Sequence, residues 1–116
     1  MNNGIQVLKV VVEQVNSIAI GNQSMFALKV TLLEDVDGQQ NRSICHMTIY
    51  SNYLPGRHDL TRMALVTPGD FIEFELDGLA MRPCIDDVSC IFAEFNNIHR
   101  FKVNRTGFDI PPVRTR

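Results

Sequence analysis

The sequence predicts an all-β domain of five strands with a single short helix between the third and fourth. Three observations carry that expectation. Apolar residues recur with period two along most of the chain, the segments between them are punctuated by Gly, Pro and Asp, and only one stretch, near Asp59, has helical spacing. At 116 residues and 13.1 kDa the chain has room for one core. Hydrophobic residues make up 45% and charged residues 21%, ordinary globular values that exclude global disorder.

The elements follow in order. Ile5 to Val15 is rich in Val and Ile and reads as one long strand, and Gly21-Asn22 breaks the pattern. Met25 to Leu33 alternates, with Phe26, Leu28, Val30 and Leu32 on one face and Ala27, Lys29 and Thr31 on the other. The polar run from Glu34 to Asn41 contains Asp37-Gly38, a hairpin cue because glycine accepts positive φ. Ser43 to Ser51 is the third strand, placing Cys45, Met47 and Ile49 opposite His46, Thr48 and Tyr50. Pro55-Gly56 makes a turn, and Asp59 is expected to cap a short helix whose Leu60, Met63 and Ala64 share a side. After Pro68-Gly69-Asp70, Phe71 to Leu76 forms the fourth strand, with Ile72, Phe74 and Leu76 on one face and Phe71, Glu73 and Glu75 on the other. A connection holding Gly78, Pro83 and the Asp86-Asp87 pair, read as a hairpin tip, leads to a fifth strand from about Ser89 to Phe101. Residues 1–106 are therefore read as the domain. Residues 107–116, with Gly107, Pro111, Pro112 and no periodicity, are read as a mobile tail.

Five antiparallel strands must close on themselves or leave vulnerable edges. The order strand, strand, strand, helix, strand, strand fits the OB-fold, a partly open Greek-key barrel. Its ligands lie on strands two and three, flanked by the loops between strands one and two and between strands four and five. A long first strand serves both halves of such a barrel, and the helix plugs its end.

Composition narrows the chemistry. The net charge of −2 hides a split: from Ile98 to Arg116, Arg100, Lys102, Arg105, Arg114 and Arg116 face only Asp109, giving +4. The residues before them carry 6 basic and 12 acidic groups, giving −6. An anionic ligand must therefore meet a local patch rather than the mean field. Cys45, Cys84 and Cys90 are an odd set, expected as free thiols in a reducing compartment. The spacing Cys84-x5-Cys90 is too wide for a zinc knuckle, so no metal or other cofactor is expected. No apolar run reaches the ~18 residues of a membrane span, and Met1-Asn2-Asn3-Gly4 has neither a basic flank nor an apolar secretion core. A cytoplasmic location without membrane contact is the expectation.

Catalysis is not expected. Cys45 and His46 are neighbours on a strand and point to opposite faces, so they cannot act as nucleophile and base for each other. Glu73 and Glu75 read as the wet side of a strand, and there is no phosphate-binding glycine loop or nucleophile elbow.

Three stretches carry a family resemblance. They are the unit from Phe26 to Tyr50, ending Ile44-Cys45-His46-Met47-Thr48-Ile49-Tyr50; Pro68-Gly69-Asp70-Phe71-Ile72-Glu73-Phe74-Glu75; and Ala93-Glu94-Phe95-Asn96-Asn97-Ile98-His99-Arg100-Phe101. In this order, over residues 5–102, the chain resembles bacterial single-stranded DNA-binding proteins and their relative, primosomal replication protein N. The resemblance implies a homodimer or homotetramer that binds single-stranded DNA with little sequence preference in replication, recombination or repair, with replication proteins as further partners. Two departures matter. The chain ends Pro112-Val113-Arg114-Thr115-Arg116 where the DNA-binding proteins carry an acidic recruiting peptide, and it has no Trp.

Capturing an unpaired strand requires flat rings for bases and cations for phosphates. The candidate rings are Tyr50, Tyr53, Phe71 and Phe92, while Phe26, Phe74 and Phe95 are assigned to the core. Phe92 has two readings, core or ligand, because alternation does not fix its face. Tyr50, on the polar face with His46 and Thr48, is a ligand contact or surface packing. Tyr53 is expected in an exposed loop. The candidate cations are Lys29, Arg42, Arg57, Arg82, Arg100 and Lys102, with scattered solvated charge as the alternative. Arg100 and Lys102, two apart on one strand, share a face and are the best local case for phosphate contact. The rival to DNA binding is an OB-fold that binds a protein partner, or RNA.

Overall fold

Alternate burial along each strand turns the period-two pattern into one curled, barrel-like sheet. The computed structural model describes residues 4–36, 40, 42–54, 56–85 and 90–105. Among the described residues seven strands follow in chain order: β1 (Ile5–Ile20), β2 (Gln23–Leu32), β3 (Ile44–Tyr50), β4 (Asp70–Asp77), β5 (Ala80–Pro83), β6 (Ile91–Glu94) and β7 (Asn97–Arg105). A 3-10 turn at Ser51–Tyr53 and one helix, α1 (Arg57–Ala64), stand between β3 and β4. The hydrogen-bonded order is β5-β6-β3-β2-β1-β4-β7. Neighbours are antiparallel except β3 and β6, which run parallel with Cys45 opposite Ile91 and Met47 opposite Ala93.

β1 serves two partners. Ile5 to Val11 pairs with β4 and Val10 to Ile20 with β2, and the register shifts between Val12 and Gln14. Glu13 is the extra residue of that bulge, and its carboxylate accepts a 2.6 Å hydrogen bond from the Thr31 hydroxyl. The hairpin to β2 closes on Gly21, which takes φ +61°.

The expected five strands become seven because two of them are interrupted. β4 stops at Asp77, and the chain kinks at Gly78, φ +68°, before resuming as β5. The expected fifth strand breaks at Phe95-Asn96 into β6 and β7 and runs on to Arg105. The two breaks are bonded to each other. Asn96 N–H donates to the Asp77 carbonyl at 2.9 Å, and Asn97 N–H donates to the Asp77 carboxylate at 3.1 Å. The second carboxylate oxygen lies 2.7 Å from His99 Nε2. His99 is itself the extra residue of a bulge, since Glu75 opposes Arg100 while Leu76 opposes Ile98. The His99 hydrogen bond holds the Asp77 carboxyl below its usual range, with the Asn97 N–H adding to the effect. A Cβ at residue 78 would sit 2.3 Å from Asn96 Nδ2, so any other residue must displace that side chain as well as adopt the left-handed φ.

The inward faces meet expectation: Phe26, Leu28, Val30 and Leu32 of β2, Cys45, Met47 and Ile49 of β3, and Ile72, Phe74 and Leu76 of β4 are all buried. Each fully buried large apolar side chain contributes roughly 1.5–3 kcal/mol over its exposed state. α1 presses the buried Met63 onto this core, but Ala64 is exposed. The helix is capped by Gly56 without a side-chain bond. Asp59, expected as the cap, lies in the first turn instead and pairs with Arg62 at 3.0 Å. Arg62 also stacks over the Phe101 ring, 4.5 Å from its centroid, and donates to the Phe101 carbonyl at 2.8 Å, tying helix to β7. The Gly-Asp pair before β4 has a structural cause. The Asp70 carboxylate accepts from Thr67 N–H at 3.0 Å, and Gly69, φ +94°, donates to the Val12 carbonyl at 2.8 Å.

The cysteines depart from expectation. Cys84 and Cys90 form a disulfide, and only Cys45 is a free thiol. The antiparallel β5–β6 pairing brings the two Cα atoms to 5.3 Å, a meeting that spacing along the chain does not reveal. Asp37-Gly38, Pro55, Asp86-Asp87, Ser89 and the tail from Gly107 lie outside the described residues.

Gly78→Ala is expected to lower stability by about 1–2 kcal/mol in urea melts, from the left-handed backbone and the displaced Asn96 side chain. Asp77 has a depressed folded pKa. Its contribution is therefore complete above the unfolded carboxylate value of about 3.9 and is lost as pH falls through the lower folded value. Urea melts of the native chain and Asp77→Asn should differ near pH ~6 and converge at acid pH.

Candidate functional site

Residues opposite one another in a ladder point to the same face, so the registers assemble an outer surface from separate strands. Gln14, Lys29, His46, Phe92 and Arg82 form one row across β1, β2, β3, β6 and β5. Thr48 stands opposite Ala27, and Tyr50 opposite Met25. Where this surface meets the β5–β6 hairpin and the chain after β3, it deepens into a groove of about 860 Å³. Its walls include His46, Thr48, Tyr50, Tyr53, Arg82, Phe92, Glu94 and Phe95. A smaller depression of about 190 Å³ shares His46 and Thr48 with it and reaches Lys29 and Asn16.

The aromatic residues of the groove are ordered by packing. Tyr50 and Tyr53 meet edge to face at 5.5 Å between centroids, and Tyr53 meets Phe95 in the same manner at 5.4 Å. Phe95, assigned to the core on alternation, is half-buried because it sits in the β6–β7 break rather than in a strand. Tyr53, expected in an exposed loop, is half-buried against the core through the 3-10 turn. Phe92, read as core or ligand contact, takes the outer face opposite His46 and Arg82 and is half-buried, so it is not part of the core.

Charge in the groove is close to balanced. The Arg82 guanidinium is ion-paired with the Glu94 carboxylate across the β5–β6 hairpin. The other expected cations are dispersed. Lys29 is half-buried in the adjoining depression, and Arg42, φ +76°, is exposed where the chain re-enters the sheet and donates its N–H to the Leu32 carbonyl. Arg100 and Lys102 lie on β7, away from the groove; Arg100 pairs with Glu75 at 3.2 Å and Lys102 stands opposite Glu73. Phe71 lies on β4 between Val11 and Asn104 and also outside the groove. Arg57 begins α1, and its side chain lies outside the described residues.

Of the ten residues singled out from sequence, the groove therefore gathers Tyr50, Tyr53, Arg82 and Phe92, with Lys29 at its margin. Phe95 and Glu94 join them unforeseen. The turn-forming Asn96-Asn97 pair was the signal that Phe95 leaves a strand, whereas the Arg82–Glu94 pairing needs a register that sequence does not give. Burial pushes the Cys45 thiol up to about 11, so it stays protonated beneath this surface. Among the described residues no three His, Cys, Asp or Glu side chains group to hold a metal ion, and no helix is long and apolar enough to cross a membrane. No family model, curated protein or solved structure matches the chain.

Proposed function

We propose that this chain is an OB-fold protein that binds single-stranded DNA with little sequence preference, in the cytoplasm, as a homodimer or homotetramer serving replication, recombination or repair. The observation that carries the reading is the set of four rings, Tyr50, Tyr53, Phe92 and Phe95, on one outer groove. Any nucleobase offers a face to such rings, and each stacked base contributes about 1–3 kcal/mol. The groove lies across β3 and the β5–β6 hairpin, next to β2, which matches the surface OB-folds use. The fold assignment draws further support from β1 shared between β2 and β4 and from the parallel contact of β3 with β6. With Arg82 matched by Glu94, stacking outweighs phosphate contact, and binding is expected to have a shallow salt dependence.

Oligomerisation is supported by the far half of β1. From Val12 to Ile20 it pairs only with β2 among the described residues, and Ile18 and Ile20 are 46% and 54% exposed. The same balanced charge and exposed isoleucines favour the rival, a module that binds a protein segment, which remains the alternative if nucleic acid fails to bind.

Titration of labelled oligothymidylate, against matched duplex and oligouridylate, tests the reading. Single-strand preference is expected, with Tyr50→Ala or Phe92→Ala weakening binding about five- to hundredfold and leaving the salt slope unchanged. Equal or absent binding to single strands and duplex rejects it. Light scattering should give a mass two or four times 13.1 kDa, and a monomer at all concentrations would refute the assembly.

A further inference from the structure

We propose that the Cys84–Cys90 pair is a redox switch for the outer groove, holding it ready for its ligand when oxidised and loosening it when reduced. The inference deepens the single-strand reading and rests on it.

The β5–β6 hairpin supplies Arg82, Phe92 and Glu94 to the groove, and both cysteines also line it. That wall is anchored in the core by Leu79, Met81 and Ala93 but has few backbone partners. β5 and β6 share four residue pairs, Ala80 with Glu94 to Pro83 with Ile91. β5 stands at the end of the strand order with β6 as its one neighbour among the described residues. β6 in turn meets β3 over three pairs. Pro83 stands at a non-hydrogen-bonded pair, since the next pair, Cys84 with Cys90, is bonded, so its missing N–H falls on the open edge of β5 and not in the β5–β6 ladder. Immediately beyond it the disulfide closes the hairpin, and Cys84 N–H donates to the Cys90 carbonyl at 2.9 Å. The covalent link thus locks the last hydrogen-bonded pair of a short ladder. At the other end of the hairpin, Gly78 and Phe95-Asn96 interrupt both strands, so the ladder does not run on into β4 and β7, and the Asp77 hydrogen bonds to Asn96 and Asn97 bridge the breaks.

The chemistry is thiol–disulfide exchange with a dithiol reductant, a class present in reducing compartments. One reductant thiolate attacks a sulfur of the pair, forming a mixed disulfide and releasing the other cysteine. The second reductant thiol then closes its own disulfide. Two electrons and two protons pass to the protein, leaving two thiols. Both cysteines are half-buried rather than enclosed, whereas Cys45 is buried in the core and stays out of the exchange. Reduction lowers the fraction of chains with a formed groove, and apparent affinity falls in proportion.

Full-length protein, oxidised or treated with dithiothreitol, is titrated with labelled oligothymidylate, alongside the Cys84→Ser/Cys90→Ser double variant. Thiol labelling under native conditions should count none when oxidised and two when reduced. Binding by the reduced chain and the double variant is expected to be about five- to tenfold weaker, with faster amide exchange over 80–83 and 91–94. Equal affinity and exchange in the two states overturns the switch while leaving single-strand binding intact. No binding in either state overturns the single-strand reading and the switch with it.

Discussion

β1 is hydrogen-bonded along one edge to β2 and along the other to β4, and the rest of the sheet depends on this double attachment. A strand of sixteen residues cannot follow two differently inclined partners while staying regular. The bulge at Glu13 absorbs the change of direction just past the short overlap at Val10 and Val11, where both partners are bonded. Leu8, Val10 and Val12 on its inner face are fully buried, so one strand anchors the core as well as the ladder. Removing either attachment would detach β2 with β3, or β4 with β7, from a common centre.

With the inner faces committed to apolar packing, the outer faces are left to present polar and aromatic groups to solvent. The groove arises where that surface is overhung by a hairpin whose strands are short and broken from their neighbours. Three of its rings, Tyr50, Tyr53 and Phe95, are joined by edge-to-face contact and are half-buried rather than deeply buried. The groove is thus walled in large part by uncharged rings and is economical in charge. The ion pair of Arg82 with Glu94 fits that economy, because it leaves little unbalanced field in the groove.

Much of the fold was legible in the sequence because a half-buried strand has a strict period. The buried sets of β2, β3 and β4 follow directly from alternation, and the outward placement of Lys29, His46 and Tyr50 follows with them. The breaks were not legible. Gly78 signals permissiveness but not a kink, and the kink is fixed by Asp77 bonding across to Asn96 and Asn97 on a distant segment. A continuous fifth strand puts Phe95 on the inner face, and an odd cysteine count points to free thiols, so neither the β6–β7 break nor the pairing of Cys84 with Cys90 is visible in the pattern. Arg100 and Lys102 illustrate a second limit: shared face was evident, but the opposing Glu75 and Glu73 belong to another strand. Local period finds faces, whereas sites depend on who stands across the ladder.

The parallel contact between β3 and β6 has a kinetic consequence. Its partners are separated by nearly half the chain, with the 3-10 turn, α1, β4 and β5 between them. Joining them carries the largest loop-closure entropy of any strand pairing except that of β1 with β4, and unlike that pair it gains only three opposed residues in return. Sealing this seam is therefore a late step in folding. During synthesis, Tyr50 and Tyr53 emerge well before Phe92 and Phe95, and the half-made surface faces solvent until the C-terminal third is in place.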